Sequence, residues 1–191
     1  MAYLTASQLQ EVGFKALGKN VRISDKASIY NADQIEIGDN SRIDDFCVVS
    51  GRVKIGDFCQ IAPMCLIAGG EAGIYLGDFS GLSYGVKIFS QSDDYSGETM
   101  VSSFVPSKYK NEKKEKVVIE RQVIVGAGSM IMPGVNLAEG SSVGAMSLIN
   151  KDTSPWGIYV GIPAKRVKER KKDLLVLEKK FLEEINNDSF Q

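Results

Sequence analysis

The sequence predicts an all-β solenoid, a chain wound into stacked coils with three short strands to each turn. Branched apolar residues recur every six positions, and small residues hold a fixed place between them. A period of six matches neither a 3.6-residue helix nor a simple two-faced hairpin. It matches a coil with three flat faces, a large aliphatic residue pointing in from each face and a small one at each crowded corner. One such coil cannot bury its own core, so stability comes from stacking at the spacing of strands in a sheet, about 4.8 Å.

Thr5 to Phe14 reads as a short helix that covers the first open coil. Thr5 and Gln8 have the spacing of a capping box, Leu9 and Val12 supply an apolar edge, and Gly13 or Gly18 stops the helix. Ile23 and Ile29 then begin the repeat in a slightly shifted register. Ile37, Ile43, Val49, Ile55, Ile61 and Ile67 form an unbroken run, and Leu76, Leu82 and Ile88 resume it after a three-residue slip. Ile119, Val125, Ile131, Leu137, Val143 and Ile149 complete it. Small residues follow many of these directly, among them Gly38, Gly56, Ser83, Gly126 and Gly144. Others stand four places on, including Ser41, Cys47, Cys59, Cys65, Ser129 and Ser147. All three cysteines therefore read as small core residues rather than reactive thiols.

Between Ile88 and Ile119 about 25 residues leave the coil. An insertion of that length in a compact repeat is usually functional. Beyond Val167 the repeat ends, and Leu174, Leu177, Phe181 and Ile185 recur at the three-and-four spacing of an amphipathic helix. Its acidic Glu178, Glu183 and Glu184 oppose an anionic membrane, so its apolar face is expected against the solenoid or a second subunit. The expected organisation is a capping segment over residues 1–20, a solenoid over 21–167 with an inserted loop at 90–116, and a helical segment over 168–191.

Composition narrows the chemistry. The 191 residues contain no histidine, which excludes a Ser-His-Asp triad, a Cys-His dyad and a histidine-ligated metal. With 23 basic and 24 acidic residues the chain lacks the basic excess of a nucleic-acid binder. No apolar run reads as a signal peptide or membrane span, and the absence of CxxC spacing suits the reduced cytoplasm. One local excess stands out: residues 165–172, KRVKERKK, carry six basic residues and one acid. Read as the opening of the last helix, these charges oppose its dipole and call for an anionic partner.

The hexads, together with the closing segment from Asn150 to Val167 (NKDTSPWGIYVGIPAKRV), resemble the hexapeptide-repeat family, the left-handed parallel β-helix acyltransferases. The resemblance spans about Arg22 to Ile162. It implies an acetyl-CoA-dependent acetyltransferase, a homotrimer with sites between subunits, whose inserted loop leans across to its neighbour. By family position Ser83, Gly126, Ala127, Gly144 and Ala145 line the acyl-CoA groove, and Lys151, Lys165, Arg166 and Lys168 meet its phosphates. Trp156 is expected to pack the last turn rather than stack on adenine. Many relatives carry at the loop entry a histidine that deprotonates an acceptor hydroxyl. Here that position is Asp93, with Gln91 a second such place. Asp94 is the other candidate catalytic carboxylate, while Gln91, Ser92, Tyr95 and Glu98 are candidates for acceptor binding. The SDDYSGE form resembles sugar-modifying enzymes of surface-polysaccharide (O-antigen) synthesis.

Replacing histidine by aspartate changes what can be acylated. A carboxylate with a reference pKa near 3.9 is a weak base for an alcohol, whereas an amine with a pKa of about 7.7–8.0 is partly neutral and nucleophilic unaided. The residues thus favour N-acylation of a nucleotide-linked amino sugar without a metal. O-acylation of a sugar hydroxyl is the alternative, and a non-catalytic scaffold the reading from another class. Without the fold, Asp93 and Asp94 read first as an Asx-turn at the loop entry; with the family position the two readings weigh about equally.

Overall fold

A computed structural model describes residues 2–188; Met1 and the last three residues of the expected 168–191 segment lie outside it. The chain forms three parallel sheets that wrap one core. The first has six strands, from Ala16–Leu17 to Asn136–Leu137. The second has eight, from Arg22–Ile23 to the antiparallel pair Gly157–Gly161 and Ala164–Glu169. The third has six, from Ser28–Tyr30 to Leu148–Ile149. Successive coils pair in register, with Ile43 beside Ile61, Leu76 beside Ile119 and Ile67 beside Ile88. The first corner joins sheets one and two, the second joins two and three, and the third leads back to sheet one.

The aliphatic positions read from the repeat are the core. Ile23, Ile61, Ile67, Leu76, Ile88, Ile119, Val125, Ile131 and Leu137 are each 0 % exposed. Each such side chain stabilises the fold by roughly 2 kcal/mol. The small-residue slot has a further use: several side chains there donate to a carbonyl of the next coil. Ser41 Oγ reaches Gly56 O at 2.8 Å, Ser80 Oγ reaches Glu120 O at 2.9 Å and Ser129 Oγ reaches Gly144 O at 2.9 Å. Cys47, Cys59 and Cys65 make the same contact through sulfur at 3.1–3.2 Å, and all three are buried free thiols. Burial pushes the Cys59 thiol up to about 11.

Helix α1 (Ala6–Val12) has the expected capping box on Thr5 and Gln8, and Gly13 closes it in the left-handed conformation. Leu4, Leu9 and Phe14 close the bottom of the core, rather than Leu9 and Val12. The solenoid starts before residue 21, since Ala16–Leu17 already pairs with Glu36 and Ile37. Helix α2 (Leu174–Asp188) folds back on its own solenoid at the first corner. There Phe181 meets the stacked rings of Phe58 and Phe79 edge-on, and Glu178 bonds Arg121 and Gln122.

The basic stretch is corrected by the structure. Lys165, Arg166 and Lys168 lie on the strand Ala164–Glu169, and α2 begins only at Leu174. The helix-dipole argument therefore does not apply to them. The strand wins because Ile162–Pro163 turns the chain straight back onto Gly157–Gly161. Arg170 is structural, its guanidinium donating to Gln122 O at 2.6 Å and Gly140 O at 3.0 Å.

Candidate active site

The insertion leaves the third corner on a two-stranded stalk, Gln91–Ser92 antiparallel to Lys113–Lys114. At its base is a cleft of about 380 Å³ lined by Phe89, Gln91, Ser92, Asp93, Tyr95, Met130 and Met132. Sheet three supplies the apolar floor through Phe89, Met130 and Met132, and the stalk supplies the polar rim. Sequence reasoning missed the floor. Its signal is that the third-sheet strands carry apolar residues on both faces, as in Met130-Ile131-Met132.

The two aspartates differ in use. Asp94 is an Asx-turn: it accepts from Ser96 N and Ser96 Oγ, both at 2.9 Å, and from Thr99 Oγ1 at 2.6 Å. The Thr99 hydroxyl and these Ser96 donors hold its carboxyl below the usual range. Asp93 accepts no hydrogen bond from any described side chain and lines the cleft with its carboxylate exposed. Gln91, Ser92 and Tyr95 share the cleft with it, whereas Glu98 lies outside and continues the turn through its N–H to Ser96 Oγ at 3.1 Å.

Ser83 stands elsewhere, at the second corner, in a cleft of about 170 Å³ with Gln60, Ala62, Tyr84 and Ile124. Along this corner in the next coils come Gly126–Ala127 and Gly144–Ala145. Both glycines are required by close approach: a Cβ on Gly126 would lie 2.5 Å from Ala145 N, and one on Gly144 would lie 2.6 Å from the Val160 side chain. The two clefts share no residue, so one chain does not bring Ser83 and Asp93 together.

The second corner also differs from the first in its backbone. At the first corner, four of the six N–H groups two residues after the repeat's aliphatic are capped by a carboxylate, while those of Asp78 and Arg121 have no acceptor among the described residues. Lys19 N donates to Asp39 at 2.7 Å, Asp39 N to Asp57 at 2.7 Å, Asp57 N to Asp78 at 2.9 Å and Glu139 N to Glu120 at 2.8 Å. At the second corner the equivalent N–H groups of Tyr84, Ala127 and Ala145 have no acceptor among the described residues. Three unbonded donors one coil apart thus line this corner, whose residues in the last two of those coils are small. Such a ladder suits a slim ligand with amide carbonyls, because an exposed N–H keeps its bonding capacity for a partner. The sequence signal is the contrast between Gly-Asp at 38–39, 56–57 and 77–78 and Gly-Ala at 126–127 and 144–145.

Lys165 and Arg166 pair with Val160 and Tyr159 and so stand at the top of this groove, with Lys168 further toward the first corner. Arg166 also holds Glu169 at 2.5 Å, which raises its pKa. Lys151 follows Ile149 at the third corner and is not gathered with the other cations. Trp156 is buried and lies over Gly140, so its ring packs the last coil as expected. Among the described residues no group of three or more His, Cys, Asp or Glu side chains could hold a metal ion, and no helix is long and apolar enough to cross a membrane.

Comparison with known proteins fits this geometry. Residues 34–69 match the bacterial transferase hexapeptide (six repeats) family model. The chain is 46 % identical over 184 residues to an Escherichia coli dTDP-4-amino-4,6-dideoxy-D-glucose acyltransferase, covering 95 % of each protein. It is 43 % identical, with a TM-score of 0.95, to AntD, an N-acyltransferase from Bacillus cereus crystallised with dTDP and 3-hydroxybutyryl-CoA; 96 % of this chain and 98 % of that one are covered. A serine-to-alanine variant of AntD, in complex with dTDP-4-amino-4,6-dideoxyglucose and coenzyme A, superposes with a TM-score of 0.94. Repeat, fold and these similarities agree that the chain belongs to the hexapeptide-repeat, left-handed β-helix acyltransferases.

Proposed function

We propose that this enzyme transfers an acyl group from coenzyme A to the amine of a nucleotide-linked 4-amino-4,6-dideoxy sugar. The observation that carries the reading is the pairing of an unbonded Asp93 in a cleft with a free N–H ladder at a small-residue corner. The near-complete match to an acyltransferase of that sugar class supports it. Two AntD variants substitute a serine and an aspartate ten residues further on, and Ser83 and Asp93 have that spacing. The acyl group includes acetyl but is not restricted to it, since AntD was crystallised with 3-hydroxybutyryl-CoA.

The chain's own groups divide the work. Tyr84, Ala127 and Ala145 N–H groups and the small corner residues hold the donor's amide arm, and Lys165 and Arg166 meet its phosphates, with Lys168 and Lys151 further out. Acyl-CoA supplies the thioester that is broken. Asp93 accepts a hydrogen bond from the acceptor amine, aims its lone pair and takes the proton lost as the C–N bond forms. Ser83 Oγ has no partner among the described residues and is free to donate to oxygen at the reacting carbonyl. Gln91, Ser92 and Tyr95 flank the acceptor, and Glu98 and Asp94 shape the loop. An amine needs no strong base, which reconciles the reaction with a chain lacking histidine.

The working form is a homotrimer with its sites between subunits. Ser83 and Asp93 lie in separate clefts, so one subunit's corner must meet another's loop. The outer face of sheet three suits such contact: Val48, Leu66, Met130 and Leu148 form one row, interrupted only by Lys87. An apolar face of this extent on both sides of a sheet calls for a covering partner. The reaction belongs to surface-polysaccharide (O-antigen) synthesis in the cytoplasm, where free buried thiols such as these persist. The test is thiol release by the purified protein with acyl-CoA and dTDP-4-amino-4,6-dideoxyglucose, beside a 4-hydroxy analogue. Release with the amine alone is expected; release with neither refutes the reading.

A further inference from the structure

The reading of Asp93 as the acceptor-side carboxylate leaves one sequence feature without a use, the three-residue slip between Ile67 and Leu76. We propose that this slip is a positioning element of the acylation site, a step that seats the stalk and aims Asp93. The inference rests on that reading of Asp93 and adds to it.

The slip and the insertion occupy the same corner in consecutive coils. Val49 to Val53 and Ile131 to Val135 turn the third corner in four residue steps, Ile67 to Ile74 in seven, and Ile88 to Val117 in twenty-nine. The extra residues after Ile67 form a closed turn, with Gly73 N bonded to Gly69 O at 2.8 Å. The coil below fixes that turn from beneath, through Gly69 N to Ser50 O at 2.8 Å and Arg52 N to Gly70 O at 3.0 Å.

The stalk stands on this turn through two polar contacts and one close approach. Ser90, 0 % exposed, donates from Oγ to Gly69 O at 2.5 Å, while its own carbonyl accepts from Glu115 N at 2.9 Å. Gly70 has φ +47°, and a Cβ there would lie 3.2 Å from Gln91 Oε1 and 3.4 Å from Ser90 Oγ. Glu71 holds the other stalk strand through Lys114 Nζ at 3.1 Å. One turn thus grips both strands where they leave the coil, two residues before Asp93. A plain hexad corner offers neither the Gly69 carbonyl nor the Glu71 carboxylate at that height. An error of about 1 Å in a reacting group can cost up to a hundredfold in rate, so rigidity here bears on turnover.

The experiment uses the full chain. Gly70→Asn keeps the left-handed backbone, which asparagine tolerates, and adds a side chain against Gln91. The expected result is a fall in kcat of about tenfold, with the Kd for coenzyme A unchanged because the donor groove is at another corner. Glu71→Lys and Lys114→Glu should each lower kcat by about threefold, and the double reversal should restore it in part, since Lys114 also pairs with Glu112 at 3.4 Å; the pair is exposed, so both variants fold. Unchanged kcat in Gly70→Asn overturns the proposal, as does a loss matched by weaker coenzyme A binding or by no recovery in the double reversal. A wild-type protein inactive on any amino sugar refutes the underlying function instead, which keeps the two failures apart.

Discussion

The free N–H ladder predicts that proline at its rungs weakens donor binding without harming the fold. Ala127 and Ala145 each stand two residues after an inward valine and just before a residue in the left-handed conformation, Gly128 at φ +69° and Met146 at φ +55°. That is the first central position of a type II turn, which favours proline. The chain already does this in an earlier coil, where Pro63 precedes Met64 at φ +64°. Proline at 127 or 145 therefore removes an N–H that no described residue uses and keeps φ suitable. A donor carbonyl left without its partner costs about 1–1.5 kcal/mol, or roughly tenfold in Kd. Fixing φ in a compatible turn adds about 0.4–1 kcal/mol of stability. Titration calorimetry with coenzyme A and a thermal melt on Ala127→Pro and Ala145→Pro should show weaker binding beside an equal or higher Tm. Unchanged Kd in both variants, with Tm preserved, would refute the placement of the donor at the second corner.

Asp93→Asn should lower kcat by about a hundredfold or more while coenzyme A affinity stays within about twofold, because the two clefts share no residue. An unchanged kcat would remove this carboxylate from the reaction. Gly140→Ala should destabilise by about 3 kcal/mol, since it places a Cβ at φ +67° within 2.4 Å of the Trp156 ring. A melt should then fall by roughly 6–12 °C. Burial pushes the Cys59 thiol up to about 11 from an ordinary 9.0, so its contribution to stability is complete below pH 9 and fades as pH rises toward 11. Chemical denaturation at pH 8, 9.5 and 11 should show that decline, and Cys59→Ser should flatten it.

The core was legible because a solenoid reports its phase directly: a residue every six positions is either inside or not, and Ile23 and every repeat position from Ile37 to Ile149 fall in the interior, while Ile29 is half-buried. The insertion and the helices were legible as breaks in that phase. The basic stretch was misread because composition alone does not distinguish a helix start from a returning strand. What decides it is the Ile162–Pro163 turn and the open edge of sheet two presented by Gly157–Gly161. The roles of Asp93 and Asp94 were open for a related reason. The sequence D-D-Y-S-G-E allows either to cap the turn, and only the positions of Ser96 and Thr99 assign the task to Asp94.

In a repeat this regular, chemistry has to arise where one coil departs from the rule that its neighbours follow. Capping every corner N–H with a carboxylate, as Asp39, Asp57 and Asp78 do, would leave nothing for a ligand to bind. The second corner departs by omitting those carboxylates and shrinking its side chains, and the third corner departs by adding residues. Neither departure costs core packing, since Leu82, Val125 and Ile88 stay fully inside beside them. On the function proposed above, the solenoid carries a donor groove and an acceptor loop at different corners, and their meeting falls to the proposed homotrimer. A lone chain should then bind coenzyme A weakly and turn over nothing. Leu66→Lys, which charges the outer face of sheet three away from both clefts, should dissociate the proposed homotrimer and abolish kcat while Tm of the single chain changes little. Retained turnover by a Leu66→Lys protein that is monomeric in analytical ultracentrifugation would show that both clefts can be served within one subunit, and the separation of Ser83 from Asp93 would need another explanation.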